Sequence, residues 1–370
     1  MNVEPTAIES WRDLFAPAHT GHPGVSLAFY ALRRHGEPFL LLPTDRRLAA
    51  RALDLYPAQR WPARCAKSLL RAAFGQPVPL PLRRVRLTVD PADDVLQLCQ
   101  QVGGNRSLAI LAGNPHATGR RFIILVFNAA GAPVAVVKTG LSASARQLIA
   151  RERSFLAAVP LTAPGIPRLA RTFESARLEA LVLPYLPGRP PRLAEYGQAG
   201  VLLSSWLDRT RTIPIGELLA WQRLQAAAAG DPVLDKLAPR LMNQRIHPAI
   251  YHGDFAPWNV KVSSADDRWT ALDWERGELT GPAGWDWLHF WLQPAVLVER
   301  CRAAGLAARI EAVVASAEFN AYVQAAGLGA VKYEWTLAYL LYWLNVLGAG
   351  RYEAVGRPAV EILEKKWRGD

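Results

Sequence analysis

The residues best suited to chemistry lie in one short stretch, Tyr251-His-Gly-Asp-Phe-Ala-Pro-Trp-Asn259, which leads through Val-Lys-Val and a polar turn to Trp-Thr-Ala-Leu-Asp273-Trp-Glu275. Two β-type runs flank that turn, which centres near Asp266. Antiparallel pairing about this centre sets Asn259 opposite Asp273, with Cβ atoms roughly 5 Å apart at the open end of the hairpin. An amide oxygen beside a carboxylate suits a hard divalent cation that takes oxygen ligands and keeps some waters. Asp254 precedes Asn259 by five residues, on the loop before the hairpin, and is placed to accept a proton from an incoming hydroxyl. A lone Asp is most often a surface or turn carboxylate, so the weight here comes from several positions at fixed spacing.

A second pair lies upstream. Lys138 ends the β-type run Val134-Ala-Val-Val-Lys, and Glu152 is the sole acidic residue between it and Glu174. On a helix over 144–159, Leu148, Phe155, Leu156 and Val159 stand at i−4, i+3, i+4 and i+7 from Glu152, so this carboxylate points inward with the apolar face. A carboxylate there is costly unless a cation meets it, and Lys138 is the available one.

The pattern H-G-D-x-x-x-x-N, followed by a strand ending in D-W-E, resembles the catalytic segment of the aminoglycoside phosphotransferase and choline kinase group within the protein-kinase-like superfamily. The resemblance spans about residues 105–300. It implies an α+β bilobal fold, with a small β-rich N-lobe and a larger, mainly helical C-lobe, and it implies ATP and Mg²⁺ as cofactors. Residue by residue, Asp254 matches the catalytic base, His252 the residue that braces the loop, Asn259 and Asp273 the Mg²⁺ ligands, and Lys138 with Glu152 the phosphate-holding pair. Asp286, in Gly284-Trp-Asp-Trp-Leu, matches a later structural aspartate. Leu181-Val-Leu-Pro-Tyr-Leu-Pro-Gly188 resembles the lobe-linking segment, whose backbone would meet adenine. Pro184 removes one donor there, which shifts the contact to Tyr185 or Leu186. Gly113 to Gly119 (GNPHATG) stands where the superfamily has its phosphate-covering loop, with Ser107, His116 and Thr118 as candidate contacts, although it is not G-x-G-x-x-G.

A protein kinase would carry Arg where this chain has Gly253, together with D-F-G and A-P-E after the metal-binding Asp; none of these is present. A small-molecule hydroxyl is the expected acceptor, with a sugar or glycan leading. Trp258, Trp274, Trp285 and Trp287 could stack on a sugar face or cage a choline-like amine, though such residues are more often core. Cationic aminoglycosides call for an acidic cleft, and the region from Arg189 onward balances 20 Lys/Arg against 20 Asp/Glu. A kinase-like binding module without chemistry is the competing class. The complete set Lys138, Glu152, Asp254, Asn259 and Asp273 speaks against it.

The elements that must position these residues are readable in outline. Residues 107–112, 121–128, 133–138 and 181–186 read as strands, 144–159 as a helix, and most of the chain beyond 191 as helical. The expected domains are a basic, mostly helical N-terminal extension over 1–95, an N-lobe over 96–188 and a C-lobe over 189–370. Within the extension, Arg46–Tyr56 and Ala63–Phe74 form amphipathic helices and Pro77, Pro79 and Pro81 a linker. The net charge of +11 falls entirely within the first 188 residues. It is compatible with weak contact between the extension and an anionic membrane surface, and no nucleic-acid module accompanies it. Three widely spaced cysteines (Cys65, Cys99, Cys301) argue against a disulfide framework or a structural zinc site. The apolar stretch Trp335–Ala349 is shorter than the roughly 20 residues a span requires, so it reads as a core helix of a soluble, cytoplasmic protein.

Overall fold

The computed structural model describes residues 10–18, 23–34, 36–58, 61–77, 79–113 and 119–368. It divides into two compact units, Met1–Ala157 with Pro167–Pro187, and Ala158–Ile166 with Gly188–Asp370. The first is built around a sheet and the second is mainly helical, giving the α+β organisation expected of the chain.

Unit 1 contains β1 (Val25–Arg34), β2 (Glu37–Pro43), α1 (Arg46–Ala52), α2 (Trp61–Phe74), β3 (Arg84–Val89), α3 (Asp94–Gly103), β4 (Leu108–Leu111), β5 (Arg121–Phe127), β6 (Pro133–Gly140), α4 (Ala143–Ala158), β7 (Arg171–Glu174) and β8 (Glu179–Pro184). All eight strands join one antiparallel sheet in the order β3-β1-β2-β4-β5-β6-β8-β7. Strand β5, Arg-Phe-Ile-Ile-Leu-Val-Phe, is apolar almost throughout because both faces of the sheet are covered. Phe122, Ile124 and Val126 pack with Trp11, Leu14 and the α3 residues Leu96 and Cys99. Leu125 and Phe127 face the other way, towards Ala49, Leu53 and Phe74 of the segment carrying α1 and α2.

The expectation of a mostly helical extension over 1–95 is corrected here. Its two helices are present as α1 and α2, but β1, β2 and β3 carry the segment into the sheet, where Leu40 and Leu41 of β2 pair with Leu111 and Ile110 of β4. The run Ala31-Leu-Arg-Arg favours helix by intrinsic propensity. Cross-strand pairing of β1 with both β2 and β3 overrides that preference, as strand formation depends more on neighbours than on the residue alone.

Unit 2 contains α5 (Gln198–Ser205), β9 (Ile213–Pro214), α6 (Leu219–Ala227), α7 (Pro232–Leu241), β10 (Arg245–Ile246), β11 (Ala249–Tyr251), β12 (Val260–Val262), β13 (Trp269–Ala271), β14 (Glu278–Gly281), α8 (Trp285–Leu297), α9 (Ala303–Ala315), α10 (Ala317–Ala325), α11 (Lys332–Tyr342) and α12 (Glu353–Arg368). Its strands form three two-stranded ribbons, β10-β9, β11-β14 and β12-β13. The centre is aromatic: Trp285 of α8 lies 4.8 Å from Trp335 of α11, centroid to centroid. The Trp335 indole donates to the Ala283 carbonyl at 2.8 Å, satisfying its one polar atom. Helix α11 continues into a π-helical turn, Trp343–Leu347, so the stretch read as a core helix is buried but not uniformly α. No described helix is long and apolar enough to cross a membrane.

Candidate active site

Each unit holds one group of chemically suited side chains. In unit 1, the Lys138 ammonium on β6 lies 2.6 and 2.9 Å from the two carboxylate oxygens of Glu152 on α4. Glu152 is wholly buried and Lys138 is 6% exposed. The neighbouring Ile149, Phe155 and Leu156 of α4 are buried too, so the apolar face of the helix carries its one acid inward onto the lysine.

Tyr185, expected beside adenine, directly follows β8. Its backbone N–H donates to the Val134 carbonyl at 2.9 Å, extending the β6–β8 pairing past Pro184. That donor is committed to the sheet, and the ring packs against the apolar cluster around α1. Burial, followed by the Asp54 carboxylate, pushes the phenol upward. Leu186 follows it, half-buried. Ser107 is half-buried just before β4, and its N–H donates to Asn105 Oδ1 at 2.8 Å. His116 and Thr118 lie outside the described residues.

In unit 2, the loop after β11 is held from beneath by Asp286, in the first turn of α8. Its carboxylate accepts the backbone N–H groups of His252 (2.6 Å) and Gly253 (3.0 Å). Gly253 has φ +78°, and a Cβ there would meet Arg276 at 2.8 Å, so this turn excludes the arginine of protein kinases on both conformational and steric grounds. Burial pushes Asp286 up to about 7, against the pull of its two backbone donors. The His252 ring is fully buried. Its Nδ1 accepts the Asp254 N–H at 3.2 Å, and its Nε2 lies 2.7 Å from the Leu272 carbonyl. The ring therefore carries its proton on Nε2. It ties the Asp254 loop to the end of the β12–β13 hairpin, and burial lowers it to about 4 even though Asp254 and Asp273 both bear on it.

Asp254 stands above this frame with its side chain 38% exposed. Burial pushes its carboxyl up, but the hydrogen bond from His289 and the positive charge of Arg276 outweigh that and hold it below the usual range. It is ionised at neutral pH and faces solvent, as a proton acceptor requires. Asn259 donates its amide N–H to the Asp254 carbonyl at 2.8 Å and to Asp254 Oδ2 at 3.1 Å. That leaves Asn259 Oδ1 as the atom a cation can take.

The hairpin register differs by one residue from expectation. Val260 pairs with Ala271 and Val262 with Trp269. The Leu272 N–H donates to the Asn259 carbonyl at 2.7 Å. Asn259 thus faces Leu272 rather than Asp273. The cause is the turn. Ser263 N–H bonds Arg268 carbonyl, Asp267 N–H bonds Ser263 carbonyl, and Asp267 adopts φ +51°, which closes residues 264–267 as an even-numbered loop instead of an odd one centred on Asp266. Asp273 itself has φ +74°, a left-handed conformation unusual outside glycine, so its direction is set by that local geometry and not by strand alternation. Among the described residues no three His, Cys, Asp or Glu side chains cluster as a metal site. An amide oxygen and a carboxylate nevertheless match what Mg²⁺ takes from a protein when water and phosphate complete its shell.

Sequence reasoning missed His289 and Tyr339. His289 Nε2 is 3.0 Å from Asp254 Oδ1, and its Nδ1 is 2.9 Å from the Tyr339 hydroxyl. Its place three residues after Asp286, on the same face of α8, was the available signal. Trp274, Trp285 and Trp287 are core residues, whereas Trp258, in the 3₁₀ turn Pro257–Asn259, is half-buried.

No protein-family model matches the chain, and no curated protein does. Solved structures do. Aminoglycoside phosphotransferase APH(4)-Ia is 14% identical, with a TM-score of 0.49 over 73% of this chain and 97% of that one. A putative fructosamine-3-kinase from Haemophilus somnus is 14% identical (TM-score 0.43, covering 73% and 96%), and choline kinase from Cryptosporidium parvum is 11% identical (TM-score 0.44, covering 74% and 95%). Each of these three lies below a TM-score of 0.5, so function has to be argued from the chain's own residues.

Proposed function

We propose that the protein transfers the γ-phosphoryl group of ATP to a hydroxyl of a small molecule, sugar or glycan. The observation that carries this reading is Asp254: an ionised, solvent-facing carboxylate fixed on a buried frame by His252, Asn259, Asp286 and His289. Lys138, oriented by Glu152, would hold the nucleotide phosphates. Asn259 and Asp273 would hold Mg²⁺, whose contribution when bound is to neutralise charge on the phosphate oxygens. Asp254 orients the acceptor hydroxyl and takes its proton as the acceptor oxygen bonds to phosphorus and the bond from phosphorus to the bridging oxygen breaks, releasing ADP.

An uncharged, hydroxyl-rich acceptor fits better than a polycation, because the residues from Arg189 onward carry no formal surplus of acid. The half-buried Trp258, adjacent to Asn259, offers an aromatic face for a sugar ring. The deciding experiment is ADP release by the purified protein across a panel of sugars, aminoglycosides and amino-alcohols, repeated with Asp254→Asn. That variant is expected to lose transfer while still binding Mg-ATP. Turnover equal to the unsubstituted protein would remove Asp254 from its role.

A further inference from the structure

The reaction above counts His289 only as part of the frame around Asp254, although both nitrogens of this buried ring are engaged. His289 is 2% exposed and Tyr339 is fully buried. The carboxylate of Asp254 can only accept, so the contact at 3.0 Å requires the proton of His289 on Nε2. Burial holds the Tyr339 phenol well above its ordinary pKa, so it keeps its proton and donates it to the Nδ1 lone pair at 2.9 Å. That arrangement gives each ring nitrogen a partner of the right kind, a donor for Nδ1 and an acceptor for Nε2–H.

We propose that Tyr339 and His289 form a buried positioning chain, O–H to Nδ1 and Nε2–H to Oδ1, that fixes the plane of the Asp254 carboxylate and leaves Oδ2 to meet the acceptor hydroxyl. The terminal torsion of an aspartate is broad, so the backbone of the loop cannot by itself set that plane. Asn259 touches Oδ2 at 3.1 Å, and its amide alone leaves the other oxygen without a fixed donor. Helix α8 supplies both levels of control from one turn. Asp286 holds the loop through two backbone N–H groups, and His289, three residues on, holds the carboxylate. The chain moves no proton during the reaction; it acts through Asp254.

This inference rests on Asp254 being the base, and the test separates the two. Mg-ATP turnover of the full chain, with water as the acceptor and ADP as the readout, is compared for the unsubstituted protein, Asp254→Asn, His289→Met, His289→Gln and Tyr339→Phe. His289→Met should lower kcat by roughly 10- to 100-fold through misorientation of the reacting group, with KM for Mg-ATP unchanged. His289→Gln, which keeps an N–H near the Nε2 position, should recover much of the loss. In ¹⁵N spectra of labelled histidine, the His289 ring should show the neutral Nε2-protonated form. A folded His289→Met with full kcat, a His289→Gln as impaired as His289→Met, or a ring protonated on Nδ1 would each overturn the proposal. If His289→Met does not fold, His289→Gln, Tyr339→Phe and the ring spectrum of the unsubstituted protein carry the test. Absence of ADP from the unsubstituted protein across the acceptor panel above, or full activity of Asp254→Asn, would instead overturn the phosphotransfer reading, and the ring spectrum would still decide the hydrogen-bond chain.

Discussion

His252 and Asp286 meet through one backbone hydrogen bond and respond to acid in opposite directions. His252 falls from 6.5 to about 4 on folding, so between those values the unfolded chain takes up the proton first and the folded state loses stability as pH drops. Asp286 rises from 3.8 to about 7, so over its window the folded state binds the proton first. Its contribution is full below 3.8 and is lost as pH rises towards 7. The shifts correspond to about 3 kcal/mol for His252 and about 4 kcal/mol for Asp286, and the two offset one another over most of the shared window. Thermal unfolding of the unsubstituted protein should therefore vary little from these two groups between pH 4 and 6.5. Asp286→Asn removes one side of that balance. The variant should be less stable throughout, because one of the two carboxyl oxygens that accept the His252 and Gly253 N–H groups becomes an NH₂ group, and its Tm should fall more steeply with acid. A parallel pH dependence in the two proteins would refute this account.

At the scale of elements, the Lys138–Glu152 contact joins β6 to α4. Both side chains are buried, so the pair adds little net stability over an apolar replacement, while loss of one partner leaves a charge in a dry environment. Lys138→Met should cost about 3–5 kcal/mol in urea unfolding. The double change Lys138→Met with Glu152→Leu should be markedly less harmful to stability than the single one, and Mg-ATP turnover should be lost in both. A double variant no more stable than Lys138→Met would show that packing rather than charge dominates. Packing of α5 on α8 is tight by another means. A Cβ at Gly200 would meet the Trp287 ring at 2.1 Å, so α8, the helix that carries Asp286 and His289, is seated against a position that only glycine fits.

At the scale of the molecule, unit 1 holds the whole formal surplus of positive charge, since the residues outside it balance. The sheet extends into the N-terminal region. Removal of residues 1–95 would strip β1, β2 and β3, bare the β4 edge and uncover both apolar clusters. Such a truncation should aggregate or bind a hydrophobic dye, as an unpaired apolar edge does. A soluble, cooperatively unfolding 96–370 fragment with intact Mg-ATP turnover would show that the first 95 residues are an appendage after all.

What the sequence determined by itself was chemistry that depends on local spacing and on the cost of burying charge. Asp254 with Asn259, and Glu152 turned inward towards Lys138, are legible because a short loop and a helical period place them with little help from the rest of the chain. The second metal-ligand candidate was legible as a residue but not as a geometry. The register that separates Asn259 from Asp273 depends on one left-handed residue, Asp267, whose conformation no pattern of apolar residues encodes. Strands β1 and β2 were hidden for a related reason, because their partners, not their composition, make them strands. The contact of His289 with Asp254 spans 35 positions and exists only because α8 packs beneath the loop. Tertiary structure decided those three matters, since each turns on which segments lie side by side, a quantity set by the packed whole and carried by no single stretch of chain.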